Sequence, residues 1–405
     1  MTQSAIVLDG GLKSALTIVR SLGAKGITLS VGALYETGMA LHSRYVKHAF
    51  TYPSPYTETD AFVTAIEHEA KELGDKPVVF ACSDATFLAL YGARERLGAV
   101  CTLIFPDARA MEIAFDKAIT YSLARVSGIP TITTHMPTTT LELERVAQSV
   151  KYPAVIKPRK SVTTKDGVRY FGSARFVHTQ RELVATYTSL LETLGEAPLI
   201  QERVTGEEYG VEMIAHDGNP YTCVTHHRVR SLSPNGGASV VKETVEKGAL
   251  RDMLETYARK MVYELNWEGP VMVEFKVDSD TKTPKLMEVN GRFWGSLPLS
   301  VRAGVDMPYH FYHLATEHRF PKDVVVQTDG VQTRHFLGDV RNLLTVLFVK
   351  DTMRPYTYPK RLQAIKDFFT VTKGTYGDVW SLHDPKPAMM ELWDIWKRRV
   401  VSKKP

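Results

Sequence analysis

Hydrophobic and polar positions alternate with two different periods in the first part of the chain. Short apolar runs at residues 5–8, 27–31 and 77–82 have the length of buried strands. Between them, residues 12–22 and 62–73 carry apolar side chains at helical spacing, with polar side chains on the other side. This alternation of strand and helix predicts a parallel sheet covered by helices, a Rossmann-like α/β domain.

The pattern changes in the middle of the chain. Residues 116–128 predict a helix that ends at a glycine, residues 154–157 a strand, and residues 180–194 a further helix. From residue 199 to 289 one strand pattern follows another. This stretch predicts an antiparallel sheet with few helices, and hence an α+β unit.

The end of the chain is less periodic. From residue 387 onward it predicts a helix in which Trp393 and Trp396 stand among lysines and arginines. We interpret this helix as one that docks on its own domain, and a helix lying on a membrane surface is the alternative. The expected parts of the chain are therefore residues 1–108, 109–198, 199–325 and 326–405.

Composition and charge limit the class of protein. The 405 residues are 44% hydrophobic and 23% charged, which is typical of a soluble globular protein. The formal net charge of +5 permits anionic substrates but does not indicate nucleic-acid binding. Three scattered cysteines do not form a disulfide or metal-binding pattern. Since the N-terminus does not resemble a signal peptide and no apolar run approaches the roughly 18 residues of a membrane span, we expect a cytoplasmic protein.

A predicted hairpin carries the most informative chemistry. Residues 270–276 and 284–290 have strand patterns and are joined by a polar turn, and side-chain alternation places Glu288 and Asn290 on one face. If Glu274 shares that face, two carboxylates and an amide oxygen converge. Two carboxylates about 4 Å apart repel by roughly 4 kcal/mol at an effective dielectric constant near 20. Oxygen ligands without His or Cys suit Mg²⁺, whereas a solvated strand face is the alternative.

The hairpin resembles the metal-binding hairpin of the ATP-grasp superfamily, which includes carbamoyl-phosphate synthetase, biotin carboxylase and the D-alanine–D-alanine ligases. The resemblance implies that Glu274, Glu288 and Asn290 bind one or two Mg²⁺ ions, or Mn²⁺ in their place, at the phosphates of ATP. It implies that Arg292 lies near the transferred phosphoryl group. The implied fold is an N-terminal pre-ATP-grasp domain followed by a two-part ATP-grasp fold, with ATP in the cleft between its parts.

Other landmarks of that family follow in the expected order. Two lysines match those that reach phosphate, residues 199–206 match the hinge beside adenine, and one glutamate matches the acid that binds the ribose hydroxyls. The residues that the resemblance implies at ATP are Lys117, Lys157, Gln201, Glu202, Val204 and Glu208.

The stretch at residues 159–169 corresponds to the lid over the phosphates. Many relatives have a glycine-rich lid, whereas this one has a single glycine among cationic and hydroxyl side chains. We expect Lys160, Ser161, Thr163 and Thr164 to bind phosphate through their side chains, and a flexible solvated loop is the alternative.

A cationic strand suggests where a carboxylate binds. With a period of two, His226, Arg228 and Arg230 share one strand face, and arginine can bind a carboxylate or an acyl phosphate with two hydrogen bonds. This segment resembles a group of carboxylate–amine ligase-like ATP-grasp proteins. His226 is a candidate general base for an amine nucleophile, and a structural histidine is the alternative.

The resemblance implies an ADP-forming ligase that activates a small-molecule carboxylate as an acyl phosphate for attack by an amine. Three other functions remain open: a carboxylase-like enzyme acting on bicarbonate, a small-molecule kinase, and a nucleotide-binding sensor without turnover. The sequence identifies neither substrate and does not indicate an oligomeric state.

Overall fold

The computed structural model describes residues 3–165, 168–233, 236–349 and 358–401. Within those ranges, none of the helices is both long and apolar enough to cross a membrane. The strands are β1 (Ala5–Val7), β2 (Leu29–Ala33), β3 (His48–Thr51), β4 (Val78–Phe80), β5 (Thr134–His135), β6 (Ala154–Lys157), β7 (Val162–Lys165), β8 (Val168–Phe171), β9 (Arg175–Val177), β10 (Leu199–Glu202), β11 (Gly206–His216), β12 (Asn219–Ser233), β13 (Gly236–Thr244), β14 (Gly269–Asp278), β15 (Pro284–Asn290), β16 (Gln332–Arg334) and β17 (Thr375–Gly377).

A short 3-10 helix spans Met39–His42. The α-helices are α1 (Lys13–Gly23), α2 (Thr59–Leu73), α3 (Asp84–Gly92), α4 (Arg94–Leu97), α5 (Ala108–Phe115), α6 (Lys117–Val126), α7 (Thr140–Ser149), α8 (Gln180–Leu194), α9 (Ala249–Glu264), α10 (Leu297–Arg302), α11 (Met307–Glu317), α12 (Phe336–Phe348), α13 (Arg361–Phe369) and α14 (Lys386–Val401).

The N-terminal sheet is parallel, as the sequence predicts. Its strand order is β3-β2-β1-β4, and Ala5 is opposite Leu29 on one side and Val78 on the other. Strands β1, β2 and β4 are buried because helices cover the sheet, whereas the edge strand β3 is largely exposed. The carboxyl ends of β1, β2 and β4 therefore meet at one edge, where ligands bind in open α/β sheets.

A buried turn after β1 organises this edge. Asp9 has a left-handed backbone conformation, with φ of 61°, and its carboxylate accepts hydrogen bonds from the Cys82 amide and the hydroxyls of Ser83 and Thr86. Burial raises the pKa of Asp9, although these hydrogen bonds oppose the shift. The turn thereby fixes the end of β1 against the start of α3, which Ser83 caps by accepting from the Thr86 amide.

A smaller sheet has the strand order β5-β10-β6-β9, and a separate hairpin pairs β7 with β8. Helices α7 and α8 pack on this sheet through a core that includes Leu143, Leu183 and Ile156. Strand β10, predicted as the first strand of the C-terminal α+β part, pairs instead with β5 and β6. The smaller sheet consequently extends to the end of β10.

The largest sheet has the order β15-β14-β11-β12-β13-β16-β17 and is antiparallel except for the β16–β17 pair. One face is apolar and packs on α9, which lies between β13 and β14. This helix is a correction, because a nearly uninterrupted run of strands was expected there. Its buried residues Leu254, Ala258, Met261 and Val262 have helical spacing, so the helix is encoded locally. The opposite face carries the polar side chains of Glu208, Glu274 and Arg228, whereas Ile214, Val224 and Met272 on the same face belong to a second apolar core.

The C-terminal part is not a separate unit, because β16 and β17 extend the large sheet. A buried ion-pair cluster attaches it further: Asp378 accepts hydrogen bonds from Lys242 on β13 and, at 2.9 Å, from Lys13 at the start of α1. Burial alone would raise the pKa of Asp378, but the two ammonium groups outweigh it and hold the pKa well below its usual range. Burial lowers the pKa of Lys242 to about 7, although Asp378 opposes that shift.

We expect Asp378→Ala to lower the free energy of unfolding by about 3–5 kcal/mol, because it leaves two lysines together without their counter-charge. Urea denaturation measures the change. The control is Asp280→Ala, in an exposed turn, which should stay within about 0.5 kcal/mol of the parent protein. A loss for Asp378→Ala no larger than that of the control would show that the cluster does not stabilise the fold.

Candidate functional site

The predicted hairpin is present as β14 and β15, and it presents oxygen ligands on the polar face of the large sheet. Glu274 is directly opposite Glu288, and Met272 is opposite Asn290. The Asn290 amide donates to Glu274 Oε1 at 3.1 Å. The two carboxylates and the amide that were expected to converge therefore lie together.

The turn out of β15 is held in place by close packing. A Cβ atom at Gly291 would lie 2.4 Å from the Trp267 ring, so only glycine fits there. Arg292 follows, and its Nε donates to Asp84 Oδ1 at 2.9 Å while Nη2 lies 3.4 Å from Asn290 Oδ1. The Arg292 guanidinium thus joins the hairpin to the carboxyl edge of the N-terminal sheet. Sequence reasoning missed Asp84 as a partner of this site.

A lysine at the start of α6 adds positive charge on the other side of the hairpin. Lys117 Nζ lies 3.5 Å from Glu288 Oε2 and 3.4 Å from Ser161 Oγ. Its position is fixed because Asp116 caps α6 and pairs with Arg159, and the Lys117 amide donates to the Arg159 carbonyl. The residues just before the β7–β8 hairpin are therefore attached to the carboxylate site.

Arg228 on β12 is the cation that bridges two of the carboxylates. Its guanidinium lies 2.7 Å from Glu208 and 3.2 Å from Glu274, and its side chain is 17% exposed. Lys276, one alternation along β14 from Glu274, lies 3.3 Å from Glu208. Sequence reasoning missed Lys276, although period-two alternation from Glu274 was sufficient to find it.

The pKa values of these carboxyls separate because their partners differ. Burial raises the pKa of Glu274, as do Glu288 and Glu208, and Arg228 only partly opposes the shift. Burial alone would also raise the pKa of Glu288. The positive charges of Lys117, Lys157 and Arg292 outweigh this effect and lower the pKa. Arg228 and Lys276 likewise outweigh burial at Glu208 and lower its pKa. Glu274 is thus the carboxyl whose charge is least compensated.

The two arginines of the predicted cationic strand face differ in their contacts, although both line the cavity described below. The pairing of β12 with β13 shifts register between Arg228 and Arg230, which interrupts the period-two alternation. Arg230 instead binds Asp339 on α12 through two hydrogen bonds, at 2.8 and 2.9 Å.

His226 lies inside the protein rather than in an open site. It is 3% exposed, and its Nδ1 is 3.1 Å from Glu212, which is fully buried and accepts hydrogen bonds from Ser296 and Ser300. Burial alone would raise the pKa of Glu212, but His226 and the two serines outweigh it and lower the pKa. These contacts are those of a structural histidine, the alternative that the sequence left open.

The residues predicted for the lid contact two different residues of the protein. Ser161 contacts Lys117, whereas Lys160 and Thr163 both face Glu196, at 3.7 and 2.8 Å. The Thr164 side chain lies outside the described residues, as do residues 166–167.

A cavity of about 740 Å³ adjoins the carboxylates. Its walls come from β6, the end of β10 and the residues after it, β11, β12 and two helices of the C-terminal part, and they include Ile132, Val155, Lys157, Phe176, Gln201, Glu202, Val204, Glu208, Arg228, Arg230, Lys276, Met287, Leu343 and Phe368. The Gln201 side chain donates to Thr134 at 2.9 Å, so its amide is already engaged. Burial lowers the pKa of Lys157, although Glu288 opposes the shift. The cavity therefore combines apolar walls with cations at the end nearest the hairpin.

The donor set of the hairpin fits a hard divalent cation. Its groups are two half-buried carboxylates and a side-chain amide whose oxygen is available after rotation. Burial raises the pKa of Glu274, and the neighbouring Glu288 and Glu208 add to the shift, so a bound cation would favour the ionised form of this carboxyl. Glu274, Glu288 and Asn290 are thus the residues that would hold Mg²⁺.

Comparison with protein families gives one match. A family described as "ATP-grasp in the biosynthetic pathway with Ter operon" matches residues 195–337, which contain β11 to β15 and the hairpin. Comparison with curated protein sequences gave no match.

Similar solved structures cover most of the chain. The biotin carboxylase domain of Hydrogenobacter thermophilus 2-oxoglutarate carboxylase, in complex with MgADP, ADP and bicarbonate, has a TM-score of 0.63 at 16% identity, over 80% of this chain and 71% of that one. L-amino acid ligase from Bacillus licheniformis has a TM-score of 0.59 at 16% identity, over 80% and 78%. N5-carboxyaminoimidazole synthetase from Staphylococcus aureus has a TM-score of 0.60 at 15% identity, over 81% and 80%.

We expect Arg228→Met to lower the free energy of unfolding by about 3 kcal/mol, because Glu208 and Glu274 lose their shared cation. Added MgCl₂ should then raise the Tm of this variant more than that of the parent protein, since a divalent cation compensates the same carboxylates. Thermal unfolding with and without MgCl₂ measures both effects.

The matched control is Arg230→Met, two residues along β12, which removes an arginine bound to Asp339 instead. Its Tm should respond to MgCl₂ as the parent protein does. Equal responses of the two variants would show that the carboxylates beside Arg228 are not a cation site.

Proposed function

The chain has the ATP-grasp fold, and from that premise we propose that it is an ADP-forming ligase that uses ATP and Mg²⁺ to join a carboxylate to an amine. One observation carries the proposal. Two opposed carboxylates and an amide, Glu274, Glu288 and Asn290, lie beside a large cavity, because Arg228, which contacts Glu274, and Met287, which precedes Glu288, are in its wall. This arrangement suits phosphoryl transfer, which needs positioning and charge compensation rather than a protein nucleophile.

Different walls of the cavity bind different parts of ATP. The backbone at Glu202 and Val204 binds the adenine edge, while the apolar walls cover the ring. Glu208 accepts hydrogen bonds from the ribose hydroxyls. Lys157 and Lys117 lie toward the hairpin, where they bind the phosphates. Mg²⁺, held by the hairpin ligands, supplies positive charge to the phosphates when bound.

The carboxylate substrate meets the terminal phosphate at Arg292. Its guanidinium is held by Asp84 and Asn290, between the hairpin and the carboxyl edge of the N-terminal sheet. A carboxylate oxygen attacks the terminal phosphorus, the bond to ADP breaks, and an acyl phosphate forms. The amine then attacks the acyl carbon, phosphate leaves with the bonding electron pair, and the nitrogen loses a proton to solvent.

The similar solved structures support this reaction class. Two of them are named as an L-amino acid ligase and an N5-carboxyaminoimidazole synthetase, and a third is described with MgADP and bicarbonate. Small-molecule carboxylates and amines are therefore the proposed substrates. A cytoplasmic location stays a prediction, supported by three cysteines that are all buried and unpaired.

The deciding experiment measures ADP and phosphate release from ATP and Mg²⁺ with a panel of small carboxylates, each with and without a panel of amines that includes amino acids. We expect release to require both substrates. We also expect hydroxylamine, given with the carboxylate alone, to yield a hydroxamate from the acyl phosphate. Release with an acceptor alone and no amide product would identify a kinase, and release that depends on bicarbonate would identify a carboxylase-like enzyme.

We expect Glu288→Gln to lower kcat by about 10²–10³-fold, because the substitution removes a charged ligand while keeping the side-chain shape. ATP affinity should change by less than about tenfold, since the hinge and the lysines remain. Steady-state kinetics and nucleotide-binding titration separate the two quantities.

The control is Glu112→Gln, which alters an exposed carboxylate on α5 that is not in the cavity wall. Its kinetics should match those of the parent protein. Wild-type activity in Glu288→Gln would refute the metal assignment, and ATP binding without turnover on any substrate pair would favour a sensor.

A further inference from the structure

The last helix in the described part of the chain contacts the protein through two small buried apolar residues and two acidic side chains. In α14, Pro387 and Ala388 are buried. Glu391 lies 2.6 Å from His335, and Asp394 accepts a hydrogen bond from Thr37 at 2.6 Å. These contacts fix the rotation of the helix about its axis, so the side that faces away from the protein is defined.

The outward side carries large apolar residues. Met389, Leu392, Trp393 and Trp396 are 61, 46, 50 and 55% exposed, and their spacing of three, four and seven residues forms one stripe. The rings of Trp393 and Trp396 stack with centroids 4.9 Å apart. A helix that docks only on its own domain buries its apolar stripe, whereas this one exposes the stripe. We call these four residues the outer stripe.

Positive charge lies at both ends of the outer stripe. Lys386 and Lys397 are exposed, and the sequence continues with Arg398 and Arg399. The lysines at 403 and 404 lie outside the described residues. The acidic residues of the helix, Glu391 and Asp394, are the ones bound to the protein. The exposed side therefore combines indole rings with cations and lacks compensating acids among the described residues of the helix.

We propose that the outer stripe of α14 binds the surface of a lipid bilayer that contains anionic headgroups. Indole rings partition into the boundary between headgroups and acyl chains, and lysines beside them attract anionic lipid. A second copy of the chain is a poorer occupant, because two outer stripes in contact would bring the flanking cations of both copies together. The proposal does not depend on the ligase reaction, since it rests on α14 alone.

The test is cosedimentation of the full chain with vesicles of phosphatidylcholine and phosphatidylserine, and with vesicles of phosphatidylcholine alone. We expect binding to the anionic vesicles that weakens as NaCl is raised. Trp393→Ser with Trp396→Ser should weaken it at least about tenfold through lost apolar contact. Lys386→Glu with Lys397→Glu should also weaken it at least about tenfold and leaves both indoles in place.

The matched control is Tyr263→Ser, which removes a 66% exposed aromatic residue on α9 and should bind vesicles as the parent protein does. Circular dichroism and thermal unfolding check that each variant is folded. Absence of binding to anionic vesicles, or equal binding to phosphatidylcholine alone, would overturn the proposal. Self-association that the tryptophan double variant abolishes, without vesicle binding, would overturn it in favour of a subunit interface.

Discussion

The polar face of the large sheet depends on a balance between carboxylates and the cations around them. Glu208, Glu274 and Glu288 lie on three neighbouring strands, and Arg228 contacts two of them. Two such charges about 4 Å apart repel by roughly 4 kcal/mol at an effective dielectric constant near 20, so their positions require compensation. The compensation is uneven, because the pKa of Glu288 is lowered while that of Glu274 is raised. A further cation therefore stabilises this face most at Glu274.

Charged pairs of the same kind attach the rest of the molecule to the sheet. Arg292 contacts Asp84 of the N-terminal domain, Arg230 contacts Asp339 on α12, and Lys242 contacts Asp378 next to β17. Breaking a buried pair leaves an uncompensated charge, which costs more than the pair contributes when intact. Each pair thus restricts how the neighbouring element can lie on the sheet. The shape of the cavity follows, because its walls come from the hinge, β12 and the C-terminal helices.

Sequence patterns predicted the parallel N-terminal sheet and the hairpin, because both depend on local alternation and on residues close in the chain. The ATP-grasp resemblance was confirmed at the level of the fold by solved structures that are similar over most of the chain. The sequence patterns did not predict two local features. The register shift in β12 sent Arg230 to another partner, and the assumption of a continuous strand region hid α9. Asp84 was unpredictable for a different reason, because its contact with Arg292 spans 208 positions of the chain.

Arg292 connects the hairpin to the carboxyl edge of the N-terminal sheet. The guanidinium lies beside Asn290, which the packing of Gly291 on Trp267 holds in place, and it also binds Asp84 at the first turn of α3. The turn at Asp9 also fixes the start of α3, because the Asp9 carboxylate accepts hydrogen bonds from Ser83 and Thr86. One path of contacts therefore runs from the carboxyl edge of the N-terminal sheet to the hairpin. The hydrogen bonds of Arg292 to Asp84 and Asn290 are thus a direct link between the N-terminal domain and the residues that would hold Mg²⁺.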